Sequence, residues 1–183
     1  DRPVLLVDTN LTSVERARQK GMEAVPANAL EESALEELHA EDYATFLALT
    51  SNSEVNVLAC QLARDDFGIE RAFPALSNPA KGANPALLKQ TGGRLAFGRF
   101  ITVAQWEKAE TDIHEFVWQF PSSQPAINAR DIPLPVEVIP ILRVRSGSAE
   151  IVHAEQTWQP GDVIVFLGLS TPEEIQTALD HLG

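Results

Sequence analysis

Val4-Leu5-Leu6-Val7-Asp8-Thr9-Asn10 is the stretch on which the fold turns. Four consecutive apolar residues closed by an acid suit a strand buried on both faces, and such strands belong to parallel sheets. Downstream, Thr12 or Ser13 can cap a helix running to Lys20, and Gly21 then ends it. Met22 to Val25 reads as a second strand, followed by Ala27-Asn28-Ala29 and an acidic helix from about Glu31 to His39. Thr45 to Leu49 is a third strand. It leads through Thr50-Ser51-Asn52 to a helix capped by Ser53, with Val55, Leu58, Ala59, Leu62, Ala63 and Phe67 on its apolar side. Gly68 closes that helix, and Arg71 to Leu76 is a fourth strand. This alternation predicts βα units around a parallel sheet.

The pattern breaks from Ser77 to Pro85, where Asn, Pro and Gly cluster and no apolar period survives. A second, α+β unit follows. Arg94 to Phe97 reads as a short strand, Thr102 caps a helix through Ala109, and Asp112 to Phe120 alternates as a half-buried strand. Pro121 to Pro135 reads as a polar loop. Val136 to Val144, Glu150 to Ala154 and Asp162 to Leu167 are strand candidates, connected through Ser146-Gly147-Ser148 and Pro160-Gly161-Asp162, the latter suiting a type II turn. Thr171 and Pro172 open a last helix that runs to Gly183.

Composition excludes several function classes. The 183 residues are 44% hydrophobic and 22% charged, a globular rather than a disordered balance. With 26 acids against 14 bases the net charge is -12, the wrong sign for neutralising phosphates, so no nucleic acid or anionic membrane surface is expected as a partner. A lone cysteine, Cys60, makes neither an internal disulfide nor a Cys-rich zinc site, and a reducing cytosolic setting fits it. Apolar runs such as Val163 to Leu169 fall far short of the roughly 20 residues a membrane helix needs. No cationic, apolar leader opens the sequence, and as given the chain is expected to be soluble.

The residues that could carry chemistry gather at strand ends. An acid at the carboxyl end of a buried parallel strand is placed to accept hydrogen bonds from ribose hydroxyls, and Asp8 fits that role. Equally, Asp8 can simply start the turn Asp8-Thr9-Asn10 before a helix. The next strand ends at Ala27-Asn28-Ala29 and the third at Thr50-Ser51-Asn52, so three strand ends converge on one crevice with small polar groups. Elsewhere the signals are structural. His39, His114, His153 and His181 lie in four segments without HxxxH or HExxH spacing, which leaves surface histidines and no metal site. There is no GxSxG elbow, and Cys60 lies among Leu58, Ala59 and Leu62 as a core residue. Glu31, Glu32, Glu36, Glu37, Glu41 and Asp42 read as a solvated face, with a cation site or a contact with a basic membrane-proximal loop as the alternative. Trp106, Trp118 and Trp158 read as core or interface anchors.

Taken together, Val4 to Asp8, Val25-Pro26-Ala27-Asn28-Ala29 and Leu49-Thr50-Ser51-Asn52-Ser53-Glu54-Val55-Asn56 resemble the nucleotide-binding RCK, or TrkA-N, domain. Ile139 to Leu142, and Trp158-Gln159-Pro160-Gly161-Asp162 through Phe166, look like its companion TrkA-C domain. The region from Pro79 to Gln119 looks most like the bacterial cation/proton (sodium/hydrogen) antiporter branch. The resemblance implies a Rossmann-like domain at 1–78 and a linker with a TrkA-C-like α+β unit at 79–183. It also implies a cofactor-binding set of Asp8, Thr9, Asn10, Asn28, Ala29, Thr50 and Asn52, with no catalytic and no metal residues.

Two departures shape that expectation. The family's first strand and its GxGxxG loop have no counterpart before Gly21, and Ala27-Asn28-Ala29 stands where the family tends to have Gly-Asp-Ala. The sheet should therefore lack its central strand, between the strands ending at Asp8 and Leu49, either by truncation or by an unusual closure. NAD or an adenine nucleotide is the cofactor implied for a full-length protein, with none held tightly by this chain. The implied function is regulation of cation transport, including potassium transport, from the cytoplasmic face of the membrane. The implied partners are a second copy and a transmembrane antiporter domain. A dimerisation module without a ligand and a fragment of a nicotinamide-dependent oxidoreductase are the alternatives. Against the oxidoreductase stand the absent glycine loop and the position of the only tyrosine, Tyr43, in an acidic loop.

Overall fold

A computed structural model describes residues 3–77, 92, 94–109, 112–169 and 171–180. The amino-terminal half is built from βα units. Strand β1 (Leu5–Asp8) is followed by helix α1 (Leu11–Gln19) and strand β2 (Glu23–Pro26), which lies parallel to β1 with Leu5 opposite Glu23 and Asp8 opposite Pro26. Val14 and Ala17 of α1 pack on Ala24 and Leu6. Helix α2 (Glu32–Glu37) is shorter than the expected span to His39. Glu36 and Glu37 place negative charge on the negative end of the helix dipole, with no basic residue in the last turn. His39 then takes a left-handed φ of 51° before a 3₁₀ turn at Ala40–Asp42.

Strand β3 (Phe46–Ala48), helix α3 (Ser53–Asp65) and strand β4 (Ala72–Pro74) repeat the unit, again with parallel pairing. Helix α3 covers the pair through Ala59 and Cys60, which pack with Ala48 and Ala72. Leu58 points away and is 53% exposed, which corrects its expected place on the buried side. The caps also differ by a residue or two from expectation. Asn10, not Thr12 or Ser13, caps α1 by accepting from the Thr12 amide at 2.9 Å, and Asn52, not Ser53, caps α3 by accepting from Glu54 and Val55.

The four strands do not make one sheet. β1 and β2 form one two-stranded parallel pair, β3 and β4 another, and no described strand joins them. A sheet lacking its central strand is the outcome the sequence implies. The expected burial of β1 on both faces is not found: Leu5, Leu6 and Val7 are only half-buried, with α1 packing on the pair through Val14 and Ala17 against Leu6 and Ala24.

After α4 (Val103–Lys108) the chain is antiparallel. Strands β5 (His114–Gln119), β7 (Val138–Arg145), β8 (Ser148–Ile151) and β10 (Val163–Gly168) form a sheet in the order β5-β10-β7-β8, and α5 (Pro172–Asp180) follows. Ser146 and Gly147 have φ of 51° and 79°, so the β7–β8 hairpin closes through a two-residue turn with both central residues left-handed. That turn starts β8 at Ser148 rather than at Glu150, and it ends at Ile151, short of Ala154. Pro121 to Pro135 is not wholly loop. Strand β6 (Ile127–Asn128) pairs with β9 (Thr157–Trp158), elements too short to show a period in the sequence. Trp118, Phe120, Val138, Val152, Trp158, Ile164, Phe166, Ile175 and Leu179 fill the core of this half.

Asp162, read from sequence as a turn residue, is wholly buried. Its carboxylate accepts a two-pronged pair of bonds from Arg145, at 2.6 and 2.7 Å, and a third from the Gln159 amide at 2.9 Å. The two halves meet where Phe73 and Ala75 pack with Ala96, Phe97, Ile101 and Ile139. Here the strand expected at Arg94 to Phe97 is reduced to one bridge, Ala96 opposite His153. The boundary loop expected from Ser77 to Pro85 lies, Ser77 aside, outside the described residues, as do His181 and the helix end at Gly183.

Candidate functional site

The carboxyl ends of the parallel strands gather the expected residues into two groups. In the first, Asp8 stands opposite Pro26 at the end of the β1–β2 ladder, and the Ala27 amide donates to the Asp8 carbonyl at 3.2 Å. This ties the Asp8-Thr9-Asn10 turn to Ala27-Asn28-Ala29. Asp8 Oδ1 accepts from the Asn10 amide at 2.8 Å, which is the turn-forming role. Asn28 Oδ1 accepts from the Leu30 amide and its Nδ2 donates to Glu31, both at 3.0 Å. Asp8, Asn28 and Ala29 are half-buried, whereas Thr9 and Asn10 are exposed.

The second group sits beyond β3. Thr50 and Asn52 are exposed, and within the turn the Thr50 hydroxyl accepts from the Asn52 amide at 3.2 Å. Beneath them lies Asn56, fully buried. Its Oδ1 accepts from the Thr50 amide at 2.8 Å and the Thr50 hydroxyl at 2.7 Å, while its Nδ2 donates to the carbonyls of Thr50 at 2.9 Å and Ala75 at 2.8 Å. Asn56 thereby fastens the exits of β3 and β4 to the first turn of α3. Ser53 adds a second tie, its hydroxyl accepting from the Ser77 amide and bonding the Ser77 hydroxyl. Reading Asn56 as part of an apolar helix missed this. The available signal was one amide between Val55 and Val57, on a face that has to be buried.

Chemically, these strand ends suit hydroxyls and ring edges rather than phosphates. No Lys or Arg occurs in residues 8–13, 26–31 or 49–56, and Asn10 already accepts from the Thr12 amide of α1, as Asn52 does from the Glu54 and Val55 amides of α3. A shallow hollow of about 180 Å³, lined by Ser13, Arg16, Ala17, Lys20 and Met22, lies towards the end of α1 that leads into the start of β2, and thus at the opposite edge of the pair. That is below the roughly 300 to 1,000 Å³ of ordinary small-molecule pockets.

Remaining candidates stay structural. Burial pushes the Cys60 thiol up to about 12, against smaller opposing effects of Arg64 and a hydrogen bond at Ala48. His39 and His114 are exposed, but His153 is not a surface histidine, its ring lying against Phe73. Among the described residues no group of three or more His, Cys, Asp or Glu could hold a metal ion, and no helix is long and apolar enough to cross a membrane.

Comparison with known proteins matches residues 1–90 to the TrkA-N domain. No curated protein matches the chain. Among solved structures it is similar to the GsuK channel, at 14% identity and a TM-score of 0.43, over 100% of this chain and 35% of that one. It is similar to the GsuK RCK domain at 15% identity and 0.43, over 99% and 42%. It is also similar to the GsuK channel bound to NAD at 10% identity and 0.38, over 99% and 39%. The chain thus spans well under half the length of each of these.

Proposed function

Residues 1–90 belong to the TrkA-N (RCK) domain family, and on that premise we propose that the chain is a regulatory region of a cation transport system, in its finer form of a cation/proton antiporter. It controls transport through a change of conformation and carries out no reaction of its own. The division falls between residues 1–78, which sense a ligand, and residues 79–183, a TrkA-C-like unit that holds two copies together. The observation that carries the reading is the set of parallel strand ends bearing Asp8, Asn28, Thr50 and Asn52 without a single basic residue. Such a surface takes the ribose and base of an adenosine and leaves its phosphates unheld. Asp8 accepts from ribose hydroxyls, with Thr9, Asn10, Asn28 and Ala29 in its own group and Thr50 and Asn52 contributed by the second. NAD or another adenine nucleotide is the ligand class, bound weakly here because no glycine turn presents amides to a pyrophosphate. A ligand of this kind regulates only through different affinities for two arrangements of the paired units. In the cell the region would sit on the cytoplasmic face of the membrane, beside the transport domain it controls.

Chemical-shift mapping with AMP, NAD and ATP tests this. The expected result is one shared, millimolar site perturbing the amides of Thr9, Asn10, Asn28 and Asn52, roughly ten- to a hundredfold weaker in Asp8→Ala, as loss of a charge-assisted hydrogen bond requires. Asp8→Asn, which keeps the turn, should preserve the unfolding midpoint and still weaken binding. Perturbation elsewhere, or affinity unchanged in Asp8→Ala, refutes the ribose role and returns the chain to a ligand-free dimerisation module.

A further inference from the structure

We propose that the seam between the β3–β4 pair and the carboxyl-terminal half is a proton-operated latch, with the ring of His153 as its switch. The inference is independent of any nucleotide site. Leu95 to Phe97 is the hinge strip of this seam and bonds to both sides. The Ala96 amide donates to the Pro74 carbonyl at 3.0 Å, just after Phe73. On the other side the Phe97 amide donates to Val152 at 2.6 Å and the Ala154 amide to Leu95 at 3.1 Å, with His153 directly opposite Ala96. From there the His153 ring lies on the ring of Phe73, centroids 5.3 Å apart and planes 15° from parallel. Phe73 is itself buried in β4, so the stack joins the two sides of the seam directly.

Among the described residues, the charged groups that bear on this ring are Glu155, Arg94 and Glu150. Glu155 accepts from Nδ1 at 3.2 Å, leaving Nε2 as the atom that takes up a proton. Arg94 approaches from the hinge strip and Glu150 from β8, and Glu150 in turn pairs with Arg143 of β7 and with Arg71, next to β4, at 3.6 Å. Burial against Phe73 holds the imidazole below its ordinary value; Glu155 and Glu150 oppose this and Arg94 adds to it, with burial prevailing. The closed seam therefore favours the neutral ring. Once the seam opens, the ring is hydrated and titrates near the ordinary histidine value of about 6.5.

Linkage sets the direction. A group held low in the closed state contributes stability that is present above the open-state value and is lost as pH falls through the closed-state value. Opening thus takes up one proton, acidification favours the open seam, and anything that closes the seam expels the proton.

Hydrogen exchange of the Ala96, Phe97 and Ala154 amides between pH 5 and 8, corrected for intrinsic exchange, reads the latch. Below about pH 6.5 the opening constant should rise with acid, by at most about tenfold per pH unit, the limit for a single proton. The Phe120 amide, bonded to Asp162 inside the carboxyl-terminal sheet, should not follow. His153→Gln should remove the slope. Phe73→Leu, which keeps an apolar seam without the ring, should move the His153 titration, read by NMR, towards the ordinary value. Opening that ignores pH, a slope that survives His153→Gln, or a native His153 titrating at or above the ordinary value would each overturn the proposal. The native titration decides even if a variant fails to fold.

Discussion

Replacing Asn56 tests whether one buried amide holds the strand exits together. Asn56→Leu keeps most of the side-chain volume and removes four hydrogen bonds at 2.7 to 2.9 Å. Thr50 is exposed, so its amide, carbonyl and hydroxyl recover water in part. The Ala75 carbonyl cannot, since Ala75 is 1% exposed. An orphaned buried acceptor costs about 1 to 3 kcal/mol, and the lost bonds to Thr50 add about 1 to 2 kcal/mol net. The expected destabilisation is therefore about 2 to 5 kcal/mol, a large part of the about 5 to 15 kcal/mol by which domains of this kind are stable. At about 2 to 4 °C per kcal/mol for a chain of this size, the midpoint should fall by about 10 °C in a thermal melt followed by circular dichroism. Asn56→Asp makes the sharper test, because it sets a carboxylate oxygen against the Thr50 and Ala75 carbonyls with no proton to share. Its folded-state pKa is raised, so the variant should regain stability relative to the parent as pH falls from 7 to 5 and the acid becomes protonated. A shift in Asn56→Leu below about 1 kcal/mol, no more than a surface substitution gives, would refute the reasoning.

Arg145→Met should cost about 3 to 5 kcal/mol in chemical denaturation, because it strands the Asp162 carboxylate, whose side chain is 1% exposed, with only the Gln159 amide. Burial alone would push the Asp162 carboxyl up, but the Arg145 fork, the Gln159 amide and the charges of Arg145 and Arg143 together hold it below the usual carboxylate range. Its contribution is thus complete above about pH 4 and is lost on further acidification, so the parent's midpoint should drop below about pH 4 and that of Arg145→Met should drop less. Cys60 should resist alkylation at pH 8 until the chain is unfolded, since with a pKa of about 12 only about one thiol in ten thousand is ionised there; modification of the native chain at the rate of a free thiol would contradict this. Sedimentation at tens of micromolar should show a two-fold dimer, because β5 is an edge strand open to pairing, and Leu58 at 53% and Val117 at 56% exposure leave one apolar side chain uncovered on α3 and one on β5. A 20 kDa monomer at that concentration would count against it.

What the sequence determined by itself is what local chemistry determines. The apolar run before Asp8, the β-then-α alternation to Leu76 and the Gly147 and Gly161 turns all survive in the structure, since each depends on residues within a few positions of one another. So does the mixed α/β character. Cap positions slipped by one or two residues because Asn10 and Thr12, or Asn52 and Ser53, offer equivalent side-chain oxygens, and only backbone geometry chooses between them. Strand pairing and burial across the halves were decided by tertiary structure. The half-exposure of β1 depends on what packs over its faces, a fact about neighbours in space. Asn56 reads like a flaw in an apolar helix until the Ala75 carbonyl, 19 residues away, arrives to accept from it. His153 reads like a solvent histidine until β4 brings Phe73 against it, 80 residues earlier in the chain. In each case a polar group's role is set by the partner that replaces its water, and such partners come from segments whose approach no local period encodes.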